Sequence, residues 1–127
     1  MLPRLFSKNR NFSFLKNHNF SRDFFTISLT YQVPMSEVDK YIPEHKQFLK
    51  DCYEKGIFIA SGPKIPRTGG IILASASNRE DLDKIIKTDP FYKNKIATYE
   101  IIEFSPTMFS NYFEPIADND NQITKKT

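Results

Sequence analysis

The fold is decided by the stretch SGPKIPRTGGIILA, residues 61–74, in which a centre rich in Gly and Pro precedes an apolar run. Apolar runs at 57–60 and 71–76 flank this centre, and runs bounded by turn residues are typical of two strands joined by a hairpin loop. Arg67 lies at the predicted tip of the loop, just before a Gly-Gly pair. Spacing alone leaves open whether the loop is an ordinary long hairpin or part of a ligand site.

Outward from this hairpin, the sequence predicts two more strands and two helices. Apolar and polar residues alternate over 24–33, which predicts a strand with one buried face, and 98–104 is predicted as the last strand. Between the first strand and the hairpin, apolar residues recur every three to four positions, as in an amphipathic helix. A shorter helix is predicted after a capping box at 77–80 and ends before an Asp-Pro pair.

Pro43 interrupts the first helical pattern. Proline in a helix interior costs about 3 kcal/mol. We therefore expect a short first turn capped by Ser36, followed by a main helix that starts near Pro43, where proline is tolerated.

The order β-α-β-β-α-β is the ferredoxin-like pattern of an α+β protein, in which two helices cover one face of an antiparallel sheet. Residues such as Ile72, Ala74, Ile102 and Phe104 make both faces of the strands partly apolar. An uncovered apolar sheet face usually marks an interface. We therefore expect a homodimer in which two sheets pack face to face.

Composition limits the class of protein and its partners. With 127 residues and 39% hydrophobic content, the chain is expected to form one domain with its own core. No segment reaches the roughly 20 apolar residues of a membrane-spanning helix, so no membrane partner is expected. The single cysteine, Cys52, excludes an intramolecular disulfide and a cysteine-rich zinc site.

The net positive charge comes from the N-terminus. Residues 1–22 hold five of the 18 basic side chains and no acidic one, so the rest is mildly acidic and nucleic-acid binding is not expected. This basic composition is typical of a mitochondrial transit peptide and predicts the mitochondrial matrix. A tail without a targeting role, in a cytoplasmic protein, is the alternative. The predicted domain covers 23–109, and a polar tail covers 110–127.

Two residues outside the hairpin bring chemistry to the predicted fold. A lone histidine such as His45 is more often a core residue, and Asp89 at a helix end is more often a capping residue. As a pair they are more informative, because a carboxylate fixes the tautomer of an imidazole and stabilises its cation, which suits general acid–base catalysis. Arg67 and the backbone N–H groups of Gly69 and Gly70 are expected to hold an anionic group of the ligand.

Several short segments together resemble the YciI-like, YCII-related family over residues 24–105. The segments that carry the resemblance are FFTISLTY (24–31), EHKQFL (44–49), ASGP (60–63), GGII (69–72), DPF (89–91) and IEF (102–104). The resemblance implies a dimeric α+β barrel.

The resemblance also implies a site. His45 and Asp89 correspond to the His–Asp pair proposed as the active site of the family, and the loop Ser61, Gly62 and Pro63 lies beside it. No metal site and no cofactor-binding motif is predicted, because there is no second core histidine, no carboxylate cluster and no phosphate-binding glycine pattern.

Three functions are therefore open. The first is a small metal-free enzyme of the lyase or isomerase type that transfers a proton on a small anionic or phenolic molecule. In it, His45 is the base, Asp89 orients the imidazole of His45, and Arg67 contacts the anion. The second is a non-catalytic module that binds a small molecule. The third is a structural partner domain. If the loop lines the ligand site, Gly69→Val is expected to impair ligand binding more than it lowers stability. The reason is that Gly69 and Gly70 can accept backbone geometry that a side chain would hinder.

Overall fold

The computed structural model describes residues 12–14 and 23–113, and the chain divides into two compact units. One unit is Asp23–Phe104, and the other consists of residues 1–22 and 105–127. The elements in chain order are β1 (Phe12–Phe14), β2 (Asp23–Tyr31), α1 (Met35–Glu54), β3 (Phe58–Pro63), β4 (Gly69–Ala76), α2 (Arg79–Ile86), α3 (Pro90–Lys93), β5 (Ala97–Phe104), β6 (Met108–Ser110) and the 3₁₀ helix Asn111–Phe113.

The Asp23–Phe104 unit contains a four-stranded sheet in the order β3-β4-β2-β5, and every neighbouring pair is antiparallel. Leu29 of β2 is paired with Gly70 on one side and with Tyr99 on the other. This is the ferredoxin-like order, so the predicted α+β class, the βαββαβ pattern and the hairpin between β3 and β4 are confirmed.

The core lies between the sheet and the helices because strand β2 alternates as its sequence predicts. Phe25, Ile27 and Leu29 are buried, whereas the residues between them are only half-buried. The same apolar cluster includes Phe48 of α1 and Leu82 of α2. Packing against the helices is what selects this face of the strand, since successive side chains point to opposite faces.

Helix α1 differs from the prediction, because it runs unbroken from Met35 to Glu54 with Pro43 inside it. It begins after Pro34 without a side-chain cap, so the expected cap at Ser36 is wrong. Pro43 is exposed, and water can hydrogen-bond the carbonyl that loses its N–H partner. Burial of Val38 and Phe48 on either side of the proline offsets its cost.

The second helical region also differs in detail. The cap of α2 is Asn78, one residue later than predicted, and its side chain accepts a 2.8 Å hydrogen bond from the N–H of Asp81. The helix ends before Asp89, as expected, but Asp89 then caps the short helix α3, which the sequence analysis did not predict. Four residues are too few for a helical period to show.

The outer face of the sheet carries exposed apolar side chains. Ile71, Ile102 and Phe104 are 37%, 56% and 47% exposed, and the ring of Phe104 lies edge-on to that of Phe24 at 5.8 Å. Two residues that the sequence analysis grouped with these, Ile72 and Ala74, instead lie in the core.

In the other unit, β1 pairs with β6 in an antiparallel register that sets Ser13 opposite Phe109. Apart from residues 12–14 and 110–113, the predicted transit peptide and polar tail lie outside the described residues. Within the described part of the chain, no helix is both long enough and apolar enough to cross a membrane.

Candidate functional site

The imidazole of His45 and the carboxylate of Asp89 are hydrogen-bonded. Helix α1 presents His45 to the turn before α3, and its Nδ1 lies 2.8 Å from Asp89 Oδ1. The side chain of Asp89 is fully buried, and that of His45 is 12% exposed. The two residues of the predicted pair are therefore in direct contact within one chain.

Asp89 accepts three hydrogen bonds, which accounts for its burial. Its Oδ1 takes the His45 bond and a 2.9 Å bond from the backbone N–H of Phe91, the cap of α3. Its Oδ2 takes a 2.5 Å bond from the hydroxyl of Tyr99 on β5. Hydrogen bonds to a carboxylate favour its charged, acceptor form. Capping and histidine binding, which the sequence analysis treated as alternatives, therefore occur together.

This geometry determines which nitrogen of His45 can act on a ligand. A carboxylate that accepts from Nδ1 places the proton there, and Nε2 is then the basic nitrogen. The imidazole lies flat on the ring of Phe91, with ring centroids 4.0 Å apart and an interplanar angle of 3°. Stacking and hydrogen bonding thus hold the ring in one orientation.

Tyr99 is the residue of this network that the sequence analysis did not assign. Burial, together with the charge of Asp89, raises the pKa of its phenol, so the hydroxyl stays protonated and donates. A tyrosine on the inner face of a strand needs a partner for its hydroxyl, and that signal was present in the alternation of β5. The identity of the partner depends on tertiary structure.

His45 lines a cavity of about 430 Å³ between α1 and the sheet. The residues that line it are Leu29, Tyr31, Ile42, His45, Lys46, Leu49, Ser61, Gly62, Pro63, Arg67, Gly69, Gly70, Ile71 and Ile72. Every predicted site residue except Asp89 lines the cavity. Asp89 does not line it, but it is hydrogen-bonded to His45, which does. The lining contains basic side chains and no carboxylate.

Arg67 occupies the loop side of the cavity and is partly engaged. One of its terminal nitrogens donates to Asp39 Oδ1 on α1 at 3.2 Å, and its guanidinium lies 5.9 Å from the centre of the Tyr31 ring. The hydrogen bond to Asp39 raises the pKa of Arg67, which stays charged. Both partners are exposed, so solvent screens the pair.

Gly62 and Gly69, which were predicted in the loop, lie in strands β3 and β4 and have different roles. A Cβ atom on Gly69 would lie 1.8 Å from the carbonyl oxygen of Leu29, so Gly69 is required by the close packing of β4 on β2. Gly69→Val should therefore lower stability directly, in contrast to the expectation that it impairs ligand binding more than it lowers stability. A Cβ on Gly62 would meet nothing within 4 Å, so this glycine lines the cavity without a packing constraint.

Ser61, which was predicted in the loop, lies in strand β3 and is hydrogen-bonded to α1. Its Oγ lies 2.6 Å from the hydroxyl of Tyr53. Backbone bonds also hold the loop, since the N–H of Tyr31 donates to Thr68 O at 2.9 Å. In the ranges 12–14 and 23–113, no group of three or more His, Cys, Asp or Glu residues is arranged to hold a metal ion.

Comparison with known proteins identifies the family. The YCII-related domain matches residues 24–105, which is well over half of the chain. The chain belongs to the YCII-related family. The residues matched are those in which the sequence analysis saw the resemblance, and they include both members of the His45–Asp89 pair.

Among solved structures, this YCII-related chain is similar to the 5-chloro-2-hydroxyhydroquinone dehydrochlorinase of Burkholderia phenoliruptrix AC1100, in a complex with 2,5-dihydroxybenzoquinone. The two chains share 17% identity with a TM-score of 0.54, over 65% of this chain and 93% of the dehydrochlorinase. At this identity the likeness shows the fold. No match was found among curated proteins.

Proposed function

We propose that this YCII-related protein is a small enzyme that transfers protons by general acid–base catalysis, as a lyase or isomerase, on a small anionic or phenolic molecule. The observation that carries the proposal is the 2.8 Å bond from His45 to the fully buried Asp89, on a histidine that lines a cavity. A histidine that only fills the core has no need of a cavity beside it.

In the proposed reaction, Nε2 of His45 removes a proton from a carbon or hydroxyl group of the substrate. The electron pair of the broken bond stays on the substrate. In a lyase it forms a double bond and expels a leaving group with its bonding electrons; in an isomerase, Nε2–H returns the proton to another atom. Asp89 stabilises the imidazolium that forms between the two proton transfers.

The charge of the cavity supports an anionic substrate. Arg67 and Lys46 line it beside His45, and no Asp or Glu is among the residues that line it. Arg67 uses one nitrogen for Asp39, and a guanidinium has five N–H donors. We propose Ser61, Gly62, Pro63, Arg67, Gly69 and Gly70 as the substrate-binding residues. The dehydrochlorinase of similar fold is seen with 2,5-dihydroxybenzoquinone, a dihydroxy compound, which is consistent with this class.

The first test is the ligand retained by the purified protein, identified by native mass spectrometry, with 2,5-dihydroxybenzoquinone as an initial binding probe. In D₂O, the wild type should exchange a carbon-bound hydrogen of the retained ligand for deuterium, and His45→Asn should bind the ligand without this exchange. Dialysis against EDTA should leave the exchange rate unchanged. Binding without exchange in the wild type would favour the alternative, a non-catalytic small-molecule-binding module.

The exposed apolar side chains of the outer sheet face support a second proposal, the homodimer. Ile71 of β4 and Ile102 and Phe104 of β5 expose apolar surface on the two strands that flank β2. The helices of the Asp23–Phe104 unit pack against the opposite face, where their apolar side chains join the core. We propose that two sheets pack face to face. Light scattering at micromolar concentration should give a dimeric mass for the wild type and a monomer or aggregates for Ile102→Lys. A monomeric wild type would overturn the proposal.

For location, we propose the mitochondrial matrix, on the composition of residues 1–22. A reporter fused to this segment should enter mitochondria. A cytosolic reporter would remove the targeting proposal and favour a cytoplasmic protein, without bearing on the fold.

A further inference from the structure

We infer that Tyr99 is a positioning residue of the proposed site, and that its hydroxyl holds Asp89 so that His45 keeps its proton on Nδ1 and its lone pair on Nε2. This inference rests on the proposed function, since only a catalytic histidine needs a fixed basic nitrogen. Tyr99 acts through Asp89 and is not among the residues that line the cavity.

The geometry gives each oxygen of Asp89 a separate task. Oδ1 accepts from His45 and from the N–H of Phe91, and Oδ2 accepts from Tyr99 at 2.5 Å. The carboxylate is fully buried. With donors bound to both oxygens, rotation about the Cβ–Cγ bond would break two kinds of hydrogen bond at once. Oδ1 therefore stays aimed at the imidazole.

The hydroxyl also makes Asp89 an acceptor. With the Tyr99 hydroxyl donating to Oδ2 and the Phe91 N–H donating to Oδ1, Asp89 can only accept from Nδ1 of His45. If Asp89 turned away, nothing would hold the proton on Nδ1, and Nε2 could carry it instead. In that tautomer the nitrogen facing a substrate is no longer a base.

Two neighbouring tyrosines do not share this arrangement. The ring of Tyr92 on α3 packs edge-on against Tyr99, with centroids 5.7 Å apart, and Tyr92 is 43% exposed. Tyr31 lies near Arg67, on the loop side of the cavity. In the described residues, Tyr99 is the tyrosine that donates to Asp89, so Tyr92→Phe is a matched control that removes a nearby hydroxyl and keeps the ring.

The test is a long-range ¹H–¹⁵N spectrum of the full chain labelled with ¹⁵N-histidine, which reports the tautomer of each ring. The chain has two histidines, and His18→Gln assigns the signals. The wild type and Tyr92→Phe should show His45 almost entirely as the Nδ1–H tautomer. In Tyr99→Phe, the ratio of Nε2–H to Nδ1–H should rise roughly tenfold or more, because a bond to a charged acceptor is lost.

An unchanged tautomer ratio in a folded Tyr99→Phe protein would overturn the inference. If that variant does not fold, the wild type provides the test, since the Tyr99 hydroxyl proton should give a resolved, slowly exchanging resonance with a nuclear Overhauser effect to its own ring. Absence of that resonance would overturn the inference equally. The tautomer is measured without turnover, so a protein that fixes Nδ1–H but catalyses nothing would refute the proposed function alone.

Discussion

The two sides of the cavity are built differently. On one side, the dyad region (His45, Asp89, Phe91 and Tyr99) surrounds a carboxylate with 0% exposure and three hydrogen bonds of 2.5 to 2.9 Å. On the other, the loop region (Ser61–Gly70, the loop with the strand ends beside it) contains Arg67, which forms an ion pair at 3.2 Å with Asp39 of α1. The side chains of Arg67 and Asp39 are 44% and 60% exposed.

The difference matches two tasks. Proton transfer needs a fixed donor–acceptor geometry, and a buried network holds side chains in one arrangement. Capture of an anion needs a charge that can change partners, and a solvent-exposed arginine pair is weak enough to do so. The comparison therefore assigns chemistry to the dyad region and ligand capture to the loop region.

The largest expected effect is on stability, and it distinguishes a glycine of the loop region that packs against a neighbouring strand from one that faces open space. Gly69→Val should lower the free energy of unfolding by more than about 3 kcal/mol, or prevent folding, because its Cβ would overlap the Leu29 carbonyl. Gly62→Ala is the control, since its Cβ meets open space, and it should change thermal stability little. Denaturant unfolding measures both. Equal stability of the two variants would show that β4 does not pack on β2 as described.

The next effect compares Asp89, which is hydrogen-bonded to His45, with Asp39, which is paired with Arg67. Asp89→Ala should destabilise the protein by roughly 2–3 kcal/mol, because the cap of α3 is lost and buried donors on Phe91 and Tyr99 are left without an acceptor. Asp39→Ala removes an exposed partner of Arg67 and should be close to wild type in the same urea titration. A larger loss for Asp39→Ala would reverse the comparison.

The smallest effect concerns alkaline pH. Burial raises the pKa of the Cys52 thiol from 9.0 to about 11. Between these values the thiol ionises in the unfolded chain before it does so in the folded one, so the unfolded chain binds fewer protons and stability falls as pH rises. We expect a loss of roughly 1–2 kcal/mol by pH 11. The Tyr99 phenol, whose pKa is also raised, adds a loss in the same direction at higher pH.

Urea unfolding at a series of pH values measures this loss. Cys52→Ala is the control: it should be less stable at neutral pH because it leaves a small cavity, but its stability should fall less steeply between pH 9 and 11. A slope equal to that of the wild type would assign the pH dependence to other groups.

Much of the fold follows from local pattern, because strand alternation at Phe25, Ile27 and Leu29 and the Gly-Pro hairpin are visible in sequence. The prediction that the main helix starts near Pro43 is wrong because burial of side chains on both sides of the proline outweighs its local cost. Such packing depends on tertiary structure and is not contained in local sequence rules. Helix α3 was missed because it is short.

For the site, the sequence and its family resemblance placed His45 next to Asp89, and the structure has the two in contact. The sequence did not predict that Tyr99 is the third residue of this hydrogen-bonded network. Alternation shows that a tyrosine of β5 faces inward, but the partner of its hydroxyl is 10 residues away in the chain and depends on how α3 packs. Likewise, the packing role of Gly69 depends on a carbonyl in another strand.

The central claim is that His45 and Asp89 act as one catalytic unit, and a double-substitution cycle on the rate of deuterium exchange into the retained ligand tests it most directly. His45→Asn should lose about 10²- to 10⁴-fold in rate, Asp89→Asn should lose less, and the double variant should be no slower than His45→Asn. Asparagine preserves the cap of α3, so the fold should persist. A wild-type rate in His45→Asn, or losses that multiply in the double variant, would contradict the account.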